Sequence, residues 1–176
     1  MTTAADPLRF GYFLVPAADS PLIATAQRIE RFGLDYVGIQ DHPYHRGFAD
    51  TWAVMAMIAA STTTLRIFPD VANLPLRPPA VMAKAAATID LLSGGRFELG
   101  LGAGGFWDAI EAYGGPRRSP REALDALDEA MTSQSRGLWR FDMRPPYPRS
   151  LPPNVPARPA TGIREPAELN APVRGE

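Results

Sequence analysis

An aspartate and a histidine stand side by side at positions 41 and 42, directly after the apolar run Asp35–Gln40 (DYVGIQ). Imidazole, with an ordinary pKa near ~6.5, is suited to moving a proton or to hydrogen-bonding an anionic ring or phosphate. The same pair equally suits a loop entry in which His42 is bonded to Asp41 or to backbone. His45 follows three residues later, so Asp41, His42 and His45 formally begin a metal site. Such a site needs further carboxylate or imidazole ligands from other segments, and Asp70 is the one obvious source. The metal reading is therefore set aside, and His45 is read as a solvated loop residue.

Two other stretches carry residues with chemical capacity. Asp70-Val71-Ala72-Asn73 ends an apolar run, and Asn73 can either hydrogen-bond a polar ring edge or close an Asx turn before Pro75. Gly100-Leu101-Gly102-Ala103-Gly104-Gly105 matches G-x-G-x-x-G in form. In a dinucleotide-binding fold that motif follows the first strand, and an acidic residue ends the next strand ~20 residues on. Here it follows the fourth apolar run, and Glu122, at about the right distance, lies in a helical pattern. Nicotinamide binding through this loop is not expected. Its glycines leave two readings, close approach of a ring or phosphate to backbone N–H groups or a tight strand-to-helix turn. Phe106 and Trp107 either wall a flat aromatic ligand or pack in the core. The sequence has no G-x-S-x-G elbow, P-loop or H-E-x-x-H, the signatures of three common catalytic scaffolds.

Composition narrows the partners. Of 176 residues, 45% are hydrophobic and 21% charged, as in an ordinary globular domain with a substantial core. Eighteen basic and nineteen acidic side chains give a net charge of −1. No basic stripe points to nucleic acid, and the balance favours a small-molecule ligand or a protein partner. Cysteine is absent, which excludes disulfides, thiolate metal sites and a cysteine nucleophile. Residues 1–6 (MTTAAD) lack the basic and apolar features of a signal peptide. No apolar run approaches the ~20 residues of a membrane span, so a cytoplasmic location is expected. Lys84 is the one lysine among the eighteen basic residues, a bias read as genomic base composition.

The chemistry-bearing residues must be positioned by the elements between them. Leu8–Val15 (LRFGYFLV), Asp35–Gln40, Leu65–Val71 and Phe97–Gly102 read as strands, three of them as continuous apolar runs of the kind buried on both faces. Between them the spacing predicts three helices. The first has Ser20 as cap and Pro21 at its first position, with Leu22, Ala26 and Ile29 on one face and Gly33 as stop. The second starts at Asp50 and turns Trp52, Met55, Ala56, Ala59 and Ala60 inward. The third opens at Pro78-Pro79, carries Met82, Ala85, Ala86 and Ile89 on one face and ends at Ser93-Gly94-Gly95. Ser119-Pro120-Arg121-Glu122 is a capping box that starts a fourth helix with Leu124, Leu127 and Met131. Strands alternating with helices imply parallel pairing and right-handed crossovers, which converge strand ends 2, 3 and 4 on one rim. Residues 145–176 hold nine prolines and four arginines without periodicity, too little apolar surface to offset ordering. The expected organisation is a flexible N-terminus (1–7), a barrel-type α/β domain (8–140) and a disordered tail (141–176).

At FGLDYVGIQDH (32–42), LPLRPPAVMAKAAATIDLLSGGRFELGLGAG (74–104) and FWDAIEAYGGPRRSPREALDALDEA (106–130), the chain resembles the luciferase-like monooxygenase superfamily. These are barrel oxidoreductases that use FMN or the 5-deazaflavin coenzyme (F-420 type). The resemblance implies a TIM-barrel-type fold of which about four of eight strands are present, a half barrel. It implies that Asp41 and His42 lie beside the cofactor ring and assist catalysis. A non-proline cis peptide after strand 3 supports the ring, with Asp70-Val71 as the matching place and Asn73 following. The glycine loop, here Gly102, Gly104 and Gly105, approaches the cofactor. The acid that some deazaflavin members carry in that loop is replaced by Gly105. A half barrel exposes sheet edges and apolar faces unless a homodimer or another partner completes it. Two functions follow as expectations: a flavin- or deazaflavin-dependent oxidoreductase acting on a small organic substrate, or a non-catalytic remnant that has lost the cofactor.

Overall fold

A computed structural model of the chain describes residues 8–135, so the N-terminal segment 1–7 and the tail 141–176 fall outside the described residues. The elements in chain order are β1 (Gly11–Leu14), α1 (Leu22–Arg31), β2 (Tyr36–Ile39), α2 (Thr51–Ser61), β3 (Arg66–Pro69) and β4 (Ala72–Asn73). A 3-10 turn (Leu74–Leu76), α3 (Pro79–Ser93), β5 (Leu101–Gly102), α4 (Trp107–Ala112) and α5 (Pro120–Ser135) follow. β1, β2 and β3 form one parallel sheet in that order. The run that ends in β5 continues it. Ile67 N–H donates to Arg96 O and Glu98 N–H to Ile67 O, both at 2.9 Å, and β5 pairs in parallel with β4. β2, β3 and β5 are each reached through a helix, the connection that parallel neighbours require, whereas β4 follows β3 directly.

The expected four strand tracks are present, with two of them broken. The third is interrupted between Pro69 and Ala72 by a cis peptide at Asp70–Val71. The fourth touches β3 at a single bridge, Ile67 to Phe97, and regains regular pairing only at Leu101. β1 is also shorter than Leu8–Val15 and is not buried on both faces. It is a sheet edge, and Leu8, Phe10 and Phe13 are 85%, 66% and 50% exposed.

The core forms where β2 and β3 meet the inner faces of the helices. Val37, Ile39, Leu65 and Ile67 are fully buried against Met55 and Ile58 of α2, Ala26 of α1 and Met82 of α3. Helix boundaries follow local chemistry. Asp50 caps α2, its Oδ1 accepting the Ala53 N–H at 2.9 Å, and Gly94 ends α3 in the left-handed conformation (φ 73°) that glycine adopts without a Cβ penalty. Ser119 and Glu122 form the expected capping box, with Glu122 accepting the Ser119 N–H at 2.7 Å. Three expectations need correction. Ser20 makes no side-chain cap, and α1 starts at Leu22 with Pro21 at the cap. In α2, Ala56 and Ala60 are exposed, while Val54 and Ile58 are buried. In α5, Leu124 and Met131 face outward, and the small residues Ala123 and Ala130 make the buried contact. Side-chain size does not decide which stripe is inward; the available neighbours do. α4 was not anticipated, because its six residues are too few for a periodic pattern. No helix among the described residues is long and apolar enough to cross a membrane.

One turn is held from both sides by charge. Glu30, at the end of α1, accepts N–H groups of Thr63, Thr64 and Leu65 at 2.7, 2.6 and 3.1 Å and the Thr64 hydroxyl at 3.0 Å. Burial alone would raise its pKa, but these donors outweigh it and bring the carboxyl from 4.5 to about 2. Because the folded pKa is depressed, the stabilisation is complete above pH 4.5 and lost as pH falls through about 2. Glu30→Gln keeps an acceptor oxygen but loses the charge. It is expected to cost about 1–2 kcal/mol at neutral pH, after allowance for the group's partial exposure. It should also flatten the decline of stability between pH 4.5 and 2, as read by urea unfolding at several pH values. An unchanged acid limb in the variant would show that Glu30 does not carry it.

Candidate functional site

The ends of β2 and β4 and the loop after β5 enclose an open pocket of about 350 Å³. Asp41, His42, Asp70, Val71, Asn73, Gly102, Gly104 and Gly105 all line it. These eight residues are thus brought to one rim, whereas His45 and Trp107, also singled out from the sequence, do not line it. Parallel strands cause this, since their C-terminal ends must lie on the same side of the sheet.

Asp41 is 1% exposed and Asn73 7%. Asp41 Oδ2 accepts the Asn73 N–H at 3.0 Å, which ties the end of β2 to β4. Asp41 Oδ1 and Asn73 Oδ1 are both buried without a donor. Buried acceptors are nearly always satisfied, so two orphans beside one pocket point to a donor-bearing ligand. Asp70, by contrast, contributes its backbone, whose N–H donates to Ile39 O at 2.8 Å. The cis peptide follows it directly, at the position the family resemblance implied.

His42 packs face to face with Tyr44 (5.3 Å between centroids, 22° between planes) and edge-on to Phe106 (5.2 Å, 70°). Its Nδ1 is 3.0 Å from Gln40 Nε2. Burial lowers its pKa below 6.5; Asp41 pulls the other way and His45 adds to the lowering. This direction favours the neutral imidazole. Burial raises the Tyr44 phenol, and Asp41 adds to that shift. His45 belongs to the loop itself, with Nδ1 accepting the Gly47 N–H at 3.3 Å and the ring stacked 4.0 Å from Phe48. Among the described residues no group of three or more histidines or acids is placed to hold a metal ion.

The glycines have distinct reasons. A Cβ on Gly102 would lie 2.4 Å from Val71 Cγ2, so its absence lets the loop close on the cis peptide. Gly104 has φ +99°, and a Cβ there would lie 2.7 Å from Pro75 Cγ and 3.0 Å from the Trp107 ring. Gly105 faces open space. The tight-turn reading is therefore met at Gly102 and Gly104, and Gly105 leaves open space beside the pocket. Phe106 lines the pocket, whereas Trp107 packs beside Gly104. Gln40 and Tyr44 also line it and were not singled out from the sequence. Neither has a motif, and both are recruited by proximity to His42.

Known proteins resemble this chain in sequence and in fold. The chain is 36% identical over 129 residues to the F420-dependent glucose-6-phosphate dehydrogenase of Amycolatopsis mediterranei, covering 69% of this chain and 38% of that protein. It is 39% identical over 75 residues to the 5,10-methylenetetrahydromethanopterin reductase of Archaeoglobus fulgidus, covering 43% and 22%. Among solved structures, an F420-dependent secondary alcohol dehydrogenase in complex with an F420-acetone adduct superposes with a TM-score of 0.66 at 27% identity, over 76% of this chain and 42% of that one. The oxygenating constituent of 3,6-diketocamphane monooxygenase from the CAM plasmid of Pseudomonas putida, in complex with FMN, shares the fold alone, with a TM-score of 0.62 at 21% identity over 72% and 38%. The chain therefore spans less than half the length of these relatives and covers only part of the barrel. With residues 9–169 matching the luciferase-like monooxygenase family, the chain belongs to that family.

Proposed function

We propose that this chain supplies the cofactor-ring half of an oxidoreductase that acts on a small organic substrate through FMN or a 5-deazaflavin coenzyme. The observation that carries the reading is the pair of buried acceptors without donors, Asp41 Oδ1 and Asn73 Oδ1, on a pocket walled by the cis peptide and the glycine loop. The volume falls within the range of small-molecule sites, roughly 300–1,000 Å³. No lysine or arginine lines the pocket, which suits a flat polar ring better than an anionic phosphate tail. Such a ring, once bound, supplies hydride or oxygen chemistry. Asp41 and Asn73 would accept from its N–H groups, Val71 and Gly102 would support one face, and His42 would hydrogen-bond the reacting group from the rim. The relatives whose names carry F420 support the deazaflavin coenzyme, and the family resemblance keeps FMN as the alternative.

The exposed apolar face of β1 and the outward Leu124 and Met131 of α5 support a second element of the proposal. Another copy of this chain, or a partner chain, covers them. Titration of the purified protein with FMN and with the deazaflavin coenzyme, followed by the change in ring absorption, tests the reading. Binding of one of them is expected. No binding of either at ~100 μM, which corresponds to about −5.5 kcal/mol, would overturn it and favour a non-catalytic remnant.

A further inference from the structure

Gln40 is the last residue before Asp41 and is anchored on three sides. Its N–H donates to Leu14 O at 3.2 Å, and its carbonyl accepts the Thr51 hydroxyl at 2.6 Å. Thr51 is itself buried in the first turn of α2. The backbone of Gln40 is thereby clamped between β1 and α2, and its side chain reaches back with Nε2 3.0 Å from His42 Nδ1. An amide nitrogen only donates, so this contact makes Nδ1 the acceptor. A neutral imidazole has one proton, and with Nδ1 accepting, that proton resides on Nε2.

We infer that Gln40 is a positioning residue whose side-chain amide fixes His42 as the Nε2–H tautomer, so that His42 serves the pocket as a hydrogen-bond donor. The stacking of Tyr44 and the edge contact of Phe106 hold the ring in that orientation. The ring cannot then take a proton at Nε2. It stabilises negative charge that develops on an oxygen of substrate or cofactor ring, and no proton needs to change hands at His42. The charged and titratable groups around the ring are Asp41, Tyr44 and His45. None of them is placed by a hydrogen bond to set the tautomer, and Gln40 is. The tautomer stands independently of the cofactor; the role of the donor rests on the function proposed above.

The chain has two histidines, so long-range 1H–15N correlation spectra of 15N-labelled protein resolve His42 directly, with His45→Gln as the assignment control. At pH 8 and without ligand, wild type is expected to show the Nε2–H pattern alone. Gln40→Met is expected to give a mixture of tautomers. Gln40→Glu, whose carboxylate accepts from Nδ1–H, is expected to reverse the pattern and raise the pH at which His42 titrates. An Nδ1–H pattern in wild type, or an unchanged wild-type pattern in both variants, would overturn the inference. If the tautomers behave as expected and neither cofactor binds in the titration above, the proposed function fails and the positioning of His42 stands. If a cofactor binds, Gln40→Glu should lower kcat about tenfold with KM little changed. An unchanged kcat would remove the donor role.

Discussion

Replacing Arg96 by alanine is expected to lower the free energy of unfolding by about 3 kcal/mol. The guanidinium uses its full donor capacity. Nε donates to Ser93 O at 2.8 Å, Nη1 to Thr62 Oγ1 and Leu65 O at 3.1 and 2.8 Å, and Nη2 to Ala59 O and Thr62 O at 2.6 and 3.1 Å. The acceptors are the last carbonyls of α2, the last carbonyl of α3 and the entrance to β3. One cation therefore satisfies carbonyls at the C-terminal ends of two helices, where their dipoles also favour positive charge. Glu30 takes the N–H groups of the same turn, so the segment 62–65 is bonded by a carboxylate on its donors and by a guanidinium on its acceptors. Each hydrogen bond to a charged group contributes about 1.5–3 kcal/mol in favourable settings. The sum is far less than five times that, because the site is part-exposed and water replaces some partners. Arg96→Lys keeps the charge without the planar fork and should lose about 2 kcal/mol. Urea unfolding reads both, with a lowered midpoint and an unchanged m value. An alanine variant within about 0.5 kcal/mol of wild type would show that the network is decorative.

Asp41→Asn is expected to leave the fold nearly as stable as wild type and to weaken cofactor binding about thirtyfold. Asparagine retains an oxygen for the Asn73 N–H now bonded to Oδ2. It then places an NH2 group where Oδ1 stands as an unpaired acceptor. If that acceptor serves a ligand N–H, the variant sets donor against donor, and loss of a charged hydrogen bond of about 2 kcal/mol corresponds to the stated factor. Asp41→Ala should lose the affinity and about 2 kcal/mol of stability as well, since it leaves the buried Asn73 N–H without a partner. Parallel unfolding curves and ligand titrations separate the two effects. Tighter binding by the asparagine variant would mean that the ligand presents an acceptor there, and the assignment of Asp41 to a ring N–H would be wrong.

Much of the rim was legible in the sequence. Asp41-His42, Asp70–Asn73 and the glycine loop each follow an apolar run, and parallel strands separated by helices have only one way to arrange their C-terminal ends. The breaks in the strands were not legible. Leu65–Val71 reads as one continuous apolar run, yet the chain leaves the three-stranded sheet at Pro69 and pairs again from Ala72 only with β5, as a separate two-stranded sheet. The resemblance to the family, not the hydrophobic pattern, located the cis peptide between them. The burial of α5 departs from its apolar periodicity for a related reason. Periodicity finds an apolar stripe, but Leu124 and Met131 are more than half exposed while Ala123 and Ala130 are buried.

By itself the sequence determined the order of the four strand tracks and the long helices between them, the parallel pairing and the side of the sheet on which the chemistry lies, because these depend on local periodicity and on the handedness of L-amino-acid chains. Tertiary structure alone decided that Asp41 and Asn73 meet, that two of their oxygens are left without donors, that Gln40 faces His42, and that Glu30 and Arg96 hold one turn from opposite sides. Those contacts join residues 32, 2 and 31–37 positions apart. Even the shortest of them needs Gln40 clamped by Leu14 and Thr51 before its side chain is aimed. Hydrogen-bond geometry depends on ångström-scale placement of groups from different strands, and no pattern along a single chain encodes it.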